Sequence, residues 1–220
     1  LENSYRAMNI AFAVEWSRYA EEAGVNLYEI VNAIRMRPTH SNIMYPGIGV
    51  GGYCLTKDPL LASWSMQEVF SSDLNLSQSE MSVSVNNQMP KYAFDFLTSI
   101  FSREELGKNI LLLGVSYRGD VGDTRSTPVD LFYQCCIDAN FNISLHDPYV
   151  SFWEERQLDI TNDINKVLTK NYDLVVISTS HSLYKTKEFI NNLIAVKPKI
   201  IFDTLGIFSE EDVDKLKQVS

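Results

Sequence analysis

KNILLLG, residues 108–114, is the point at which the hydrophobic period of the chain changes. Four apolar residues run together from Ile110 to Leu113 and end on a glycine. A run this short and this continuous reads as a strand buried on both faces. Downstream the pattern alternates. TPVDLFYQCCIDA (127–139) reads as a helix, NISLHD (142–147) as a strand, TNDINKVLTK (161–170) as a helix and YDLVVIST (172–179) as a strand. A helical stretch at 187–195 and a last strand, KIIFDT (199–204), complete it. Strands alternating with helices imply parallel pairing with right-handed crossovers.

Upstream of Lys108 the period is helical. From Glu2 to Ala23, Ala7, Ile10, Ala11, Val14 and Ala20 recur at helix spacing, while Met8, Phe12, Trp16 and Tyr19 widen the apolar surface beyond one stripe. Such a helix is buried or meets a partner chain. Gly24 fits a C-cap, Asn26 an N-cap for LYEIVNAIRM, and Pro38 stops that second helix. Residues 38–57 read as a loop. Asp58-Pro59 reads as the start of a third helix, and a fourth runs from Leu76 to Ile100 with Pro90 as a kink or break. The predicted organisation is therefore a helical domain, 1–105, followed by a parallel-sheet α/β domain, 106–220.

Acidic residues number 28 and basic residues 19, a net charge of −9. That balance excludes nucleic acid as the main partner, because phosphate binding needs a basic face. No apolar run approaches the ~20 residues of a membrane span. Cys54, Cys135 and Cys136 are an odd set with one adjacent pair, a poor disulfide framework, so free thiols in a reducing cytoplasmic compartment are expected. Cys135 and Cys136 sit in apolar LFYQCCI and read as packing residues. No metal site is expected.

PGIGVGGYCLTKDP, residues 46–59, holds four of the ten glycines. Glycines so clustered let backbone N–H groups come close to a ligand. They are not a dinucleotide fingerprint, which follows a strand and opens a helix. Cys54 follows the glycines, with Lys57 and Asp58 just beyond it. A cation and the positive end of a helix both favour a thiolate. Thiolate, carboxylate and glycine nest together suit covalent catalysis on a phosphorylated or nucleotide-bearing substrate; on spacing alone, a tight helix connection carrying an inert thiol fits as well.

The segment 46–59 resembles the catalytic-cysteine loop of the UDP-glucose/GDP-mannose dehydrogenase family, the nucleotide-sugar 6-dehydrogenases. LENSYRAMNIAFAVEWSRYAEEAG (1–24) is similar to the family's central helix, LLGVSYRGDVGDTRSTPVDL (112–131) to the opening of its UDP-sugar-binding domain, and IIFDT (200–204) to a strand that closes it. The family combines an NAD-binding Rossmann domain, a helical domain that dimerises and a C-terminal Rossmann-like domain. This sequence resembles the last two, so it reads as a fragment whose NAD is bound mainly by a domain outside it.

The resemblance implies oxidation of a UDP-sugar C6 alcohol to the uronic acid in two hydride transfers with NAD, by way of a cysteine thiohemiacetal and thioester, in polysaccharide precursor synthesis. It assigns Cys54 as nucleophile, Asp58 as the carboxylate that activates water and Asn3 as an oxyanion donor, with the family's lysine falling before Leu1. It places Gly51 and Gly52 in the substrate loop, Arg118 where the family usually has a substrate-contacting lysine, and Arg37 as an arginine reaching a partner's substrate site. Lys57 and Arg125 match cofactor-directed cations. A homodimer through the central helix is implied, and the fragment alone is expected to turn over nothing. GVGG resembles the branch acting on UDP-N-acetylhexosamines, whereas CLTKDP is equally similar to the glucose branch. Leu205-Gly206 stand where the family often has an arginine. That departure leaves a second reading, a non-catalytic relative that binds sugar nucleotides.

Overall fold

A computed structural model describes residues 1–104 and 106–217. The chain divides into two compact units, Leu1–Met89 and Pro90 onward.

In the first unit, α1 (Glu2–Ala23) ends at Gly24, whose φ of 67° closes the helix in the left-handed conformation that glycine adopts without strain. Its core face is built from small residues, Ala7, Ala11, Val14 and Ala20, which lets neighbouring helices approach closely. The other face leaves Tyr5, Phe12, Trp16 and Tyr19 exposed. Asn26 then caps α2 (Leu27–Arg35), accepting from the Tyr28 N–H at 3.0 Å. Pro38–His40 form a single 3₁₀ turn.

The third helix differs from the sequence expectation. α3 spans Tyr53–Glu68, so it begins five residues before Asp58, and Pro59 lies inside it. Gly52, at φ 81° and ψ 171°, makes the turn into the helix that the Asp-Pro pair was expected to make. Cys54 and Lys57 therefore stand on a helix rather than in a loop, and Asp58 lies inside the helix rather than at its start. α3 packs on α1.

α4 (Ser77–Glu104) continues through Pro90 instead of breaking there. The change of period near residue 105 marks where helix gives way to strand, but the packing boundary falls earlier, at Met89–Pro90. Before it, Asn86 donates to the Ala7 carbonyl of α1 at 3.1 Å. After it, Phe94 meets Phe132 and Phe141 edge-on, and Phe101 meets Phe141.

The second unit is the expected parallel α/β sheet. Four strands, β1 (Asn109–Leu113), β2 (Asn142–His146), β5 (Leu174–Ile177) and β6 (Ile200–Asp203), lie in the order β2-β1-β5-β6, all parallel. β1 and β5 are central and buried, as their unbroken apolar runs require. Leu111, Leu113, Val175 and Ile177 pack with Tyr184, Phe189 and Leu193, each fully buried side chain contributing about 1.5–3 kcal/mol. The crossover helices are α5 (Val129–Asp138) and α7 (Lys187–Val196). The helix expected across 161–170 is only α6 (Ile164–Val167), because Thr161 bridges to His146 beside the sheet. The hairpin β3 (Phe152–Trp153) and β4 (Leu158–Asp159), and α8 (Glu210–Lys217), were not predicted. No described helix is long and apolar enough to cross a membrane.

Candidate active site

In the helical unit the glycine loop is held to α1 before it reaches α3. Asn9 accepts from the Met44 N–H at 3.0 Å and donates to the Asn42 carbonyl at 3.2 Å. Asn42 in turn donates to the Tyr5 hydroxyl, and Tyr28 to the Pro46 carbonyl. Ile48, 2% exposed, anchors the loop's middle. Gly52 is buried, and one residue later the chain is helical.

That geometry puts Cys54 at the second position of α3 with its thiol exposed. The amides of a helix's first turn have no intrahelical acceptor, so they lie available beside it. Asp58 is four residues on, on the same face and one turn away, about 5–6 Å between Cβ atoms at ideal helix spacing. Asn3, from the first turn of α1, donates its Nδ2 to Asp58 Oδ2 at 2.7 Å across 55 residues of sequence. An asparagine amide has a second N–H and a carboxylate a second oxygen. The pair is thus held in place with a donor and an acceptor to spare. Lys57 is exposed, with its ammonium 4.3 Å from the centre of the Tyr53 ring. Arg37 is exposed in extended backbone before Pro38.

Arg118 and Arg125 belong to the α/β unit and lie on the segment between β1 and α5. Arg125 is committed to Asp123 through a forked ion pair, Nη2 to Oδ2 at 2.7 Å and Nε to Oδ1 at 2.9 Å. The hydrogen bonds from Arg125 lower the Asp123 carboxyl, and Asp123 raises the Arg125 guanidinium. Arg118 is exposed and has no ionic partner among the described residues.

The sequence did not single out the polar cluster below these arginines, at the carboxyl ends of β1, β2 and β5. Asp147, fully buried, accepts through Oδ2 from Val115 N–H (2.9 Å), Ser116 N–H (3.1 Å), Ser116 Oγ (2.8 Å) and His181 Nε2 (3.1 Å). Its Oδ1 accepts from the N–H groups of Tyr149 and Val150. Burial pushes this carboxyl up, but the His181 ring and the backbone N–H groups outweigh it and bring it down to about 2. Nδ1 of His181 accepts from the Asp120 N–H at 3.0 Å, so the ring proton sits on Nε2 and faces Asp147. The signal was present as LHDP and STSHS, each running off the end of a predicted strand. Side chains at the carboxyl ends of parallel strands meet where the strand order reverses, here between β1 and β5.

The fit of a dinucleotide cofactor is uneven. The turn after β1 offers no cradle: amides of Val115, Ser116, Tyr117 and Asp120 are taken by Asp147, Asp123 and His181, and α5 begins only at Val129. Lys57, exposed and lying over an aromatic face, fits a phosphate.

Residues 1–88 match the UDP-glucose/GDP-mannose dehydrogenase family's central domain, and residues 111–210 its UDP-binding domain. A UDP-N-acetyl-D-mannosamine dehydrogenase from Methanocaldococcus jannaschii is 33% identical over 216 residues, 96% of this chain and 47% of that protein. The structure of a UDP-D-ManNAc dehydrogenase from Pyrococcus horikoshii superposes with a TM-score of 0.80 at 29% identity, covering 95% of this chain and 47% of the other. An NDP-N-acetyl-D-galactosaminuronic acid dehydrogenase structure from Methanosarcina mazei shares the fold, with a TM-score of 0.84 at 24% identity over 98% of this chain and 47% of that one. The chain spans about half the length of the relatives it matches. The two domain matches, in order and over most of the sequence, show that it belongs to the UDP-glucose/GDP-mannose dehydrogenase family.

Proposed function

We propose that this chain supplies the cysteine site and the nucleotide-sugar-binding unit of an NAD-dependent UDP-sugar 6-dehydrogenase. The observation that carries the reading is the Asn3–Asp58 hydrogen bond, 2.7 Å long, one helical turn from the exposed thiol of Cys54. The relatives named UDP-N-acetyl-D-mannosamine dehydrogenase favour a UDP-N-acetylhexosamine as substrate, in line with the GVGG of the loop.

In this mechanism Cys54 acts on the C6 aldehyde produced by the first oxidation. The thiolate adds to the carbonyl carbon, and the oxygen takes up the electron pair as a thiohemiacetal oxyanion. The free N–H of Asn3 donates to that oxygen; a preorganised donor of this kind is worth about 10²–10³ in rate. Loss of hydride from C6 re-forms the carbonyl as a thioester. Asp58 then takes a proton from water as the water adds to the acyl carbon, the C–S bond breaks, and the uronate leaves with Cys54 regenerated. NAD, when bound, supplies the hydride acceptor; on this chain Lys57 is the cation that fits its phosphates, and Arg125 serves only by releasing Asp123. Gly51 and Gly52, which carry no side chain, are assigned to letting the sugar approach Cys54. Arg118 meets the anionic substrate in the α/β unit. Arg37, exposed, is assigned to a second subunit's substrate site, and the aromatic face of α1 to the homodimer seam. Three free thiols suit a reducing cytoplasm.

The test is mass spectrometry of the protein at its native length, incubated with NAD and a panel of UDP-sugars. A product carrying one new carboxylate, formed by wild type and not by Cys54→Ala, supports the reading. Binding of UDP-sugar unchanged by Cys54→Ala, with no oxidation by either protein, favours the second reading, a non-catalytic relative. That reading is motivated by the turn after β6. Leu205, Ile207 and Phe208 give their N–H groups to Asp203, and no arginine is present there.

A further inference from the structure

The polar cluster at the carboxyl edge of the sheet contains serine, histidine and aspartate, but it is not wired as a nucleophilic triad. Both nitrogens of His181 are occupied, Nε2 by Asp147 and Nδ1 by the Asp120 backbone N–H, and the ring is fully buried. No face is left to take a proton from a nucleophile. The Ser116 hydroxyl is itself spent on Asp147.

The cluster instead fixes a backbone. Asp147 grips the segment after β1 at Val115 and Ser116; His181 grips it again at Asp120. The Asp120 carboxylate closes the far end by accepting from the Ser182 N–H at 2.8 Å and from its hydroxyl. Between the two grips, Gly119 lies so close to the 180–181 backbone that a Cβ there would stand 2.3 Å from the Ser180 carbonyl oxygen. Asp120 itself is held at φ 57°, a left-handed conformation uncommon for a non-glycine residue. The three residues 117–119 are thus fastened at both ends, and Arg118 is their exposed cation. Of the two arginines on this segment, Arg125 is neutralised by Asp123 and Arg118 is not.

We propose that Asp147 and His181 are positioning residues that hold Arg118 for the anionic part of the nucleotide. This rests on the reading above, in which Arg118 meets the substrate. A guanidinium binds a diphosphate oxygen pair in a fork, so its value depends on where its backbone is fixed. The histidine contributes one donor and one acceptor on opposite edges of a ring, and no charge is required of it.

The experiment is a double-mutant cycle on UDP binding, measured by calorimetry on the protein at its native length. Arg118→Ala is expected to weaken UDP by about tenfold, the loss of one charge-assisted contact. His181→Phe keeps a flat aromatic ring, slightly larger than imidazole, but removes both hydrogen bonds, and is expected to weaken UDP by ~5–10-fold; combined with Arg118→Ala it adds less than about twofold further, because the two act on one contact. His181→Gln, which retains a donor and an acceptor, restores affinity to within about twofold of wild type. Where His181→Phe does not fold, Asp120→Asn with Ser182→Ala loosens the same segment from the exposed side and shows the same non-additivity. Losses that multiply would overturn the proposal, since a merely structural role acts independently of Arg118. So would full affinity in His181→Phe. An Arg118→Ala protein that binds UDP like wild type, or a wild type that does not bind it, removes the substrate role of Arg118 itself and the proposal with it.

Discussion

Replacing Asp147 by asparagine tests the energetic account of the α/β unit with a change of one atom. The carboxylate accepts six hydrogen bonds, four on Oδ2 and two on Oδ1. An asparagine offers one oxygen. With that oxygen on the crowded side, its NH₂ points at the N–H groups of Tyr149 and Val150, donor against donor. Each orphaned donor costs about 1–3 kcal/mol, and the charge-assisted bonds weaken too, giving ~3–5 kcal/mol at pH 7. The pH dependence has a definite sign. The carboxyl is depressed from 3.8 to about 2 in the fold. Its stabilisation is therefore complete above the unfolded value and is lost as the pH falls through 3.8 toward 2. The fall from 3.8 to about 2, at about 1.4 kcal/mol per pH unit, makes that part ~2.5 kcal/mol, of which about 2 is lost by pH 2. The assay is urea unfolding followed at Trp153, which is fully buried in this unit, with Trp16 and Trp64 changed to phenylalanine in both proteins. The gap between wild type and Asp147→Asn should narrow by about 2 kcal/mol between pH 5 and pH 2. A gap below about 1 kcal/mol at pH 7, or one that does not narrow on acidification, refutes the reasoning.

Gly119→Ala drives a Cβ to 2.3 Å from the Ser180 carbonyl oxygen and should lower the melting midpoint of the α/β unit by well over 10 °C, whereas Gly24→Ala, at φ 67° with open space around it, costs only ~1 kcal/mol by thermal melt of the helical unit. Asn3→Ala removes the 2.7 Å bond to Asp58; calorimetry should show a loss of about 1 kcal/mol in the helical unit, and steady-state kinetics a fall in kcat of about 10²-fold. Iodoacetamide followed by peptide mass spectrometry should modify exposed Cys54 first and Cys136 last, because Cys136 is buried and its thiol is pushed up to about 12.

The long regular elements were legible because their signals are local. Gly24 and Asn26 mark the end of α1 and the start of α2 with side chains and conformations that need no tertiary partner. β1 and β5 announce themselves as unbroken apolar runs. The start of α3 was misread because Asp58-Pro59 has the composition of a helix start, while the turn is made by Gly52, one glycine among four in a loop whose path depends on Asn9 and Ile48. The β3–β4 hairpin is too short to show a period, and the helix read across 161–170 came out as the single turn α6 because Thr161 is drawn to the sheet edge. α8 did carry a signal: Ser209 and Asp212 form a reciprocal cap, visible as the SEED quartet that was passed over. Cys54 and Asp58 could be named from one motif because four residues of helix hold them together. Asp147 and His181 could not, because they lie 34 residues apart and meet only when β2 and β5 flank β1.

The most direct test of the cysteine chemistry is to trap the acyl intermediate. Asp58→Asn at native length, incubated with NAD and UDP-N-acetylmannosamine and quenched in acid, should carry a uronyl adduct on the peptide containing Cys54, because the thioester forms but water is not activated to cleave it. An unmodified Cys54 peptide, together with turnover retained in Cys54→Ala, contradicts the account.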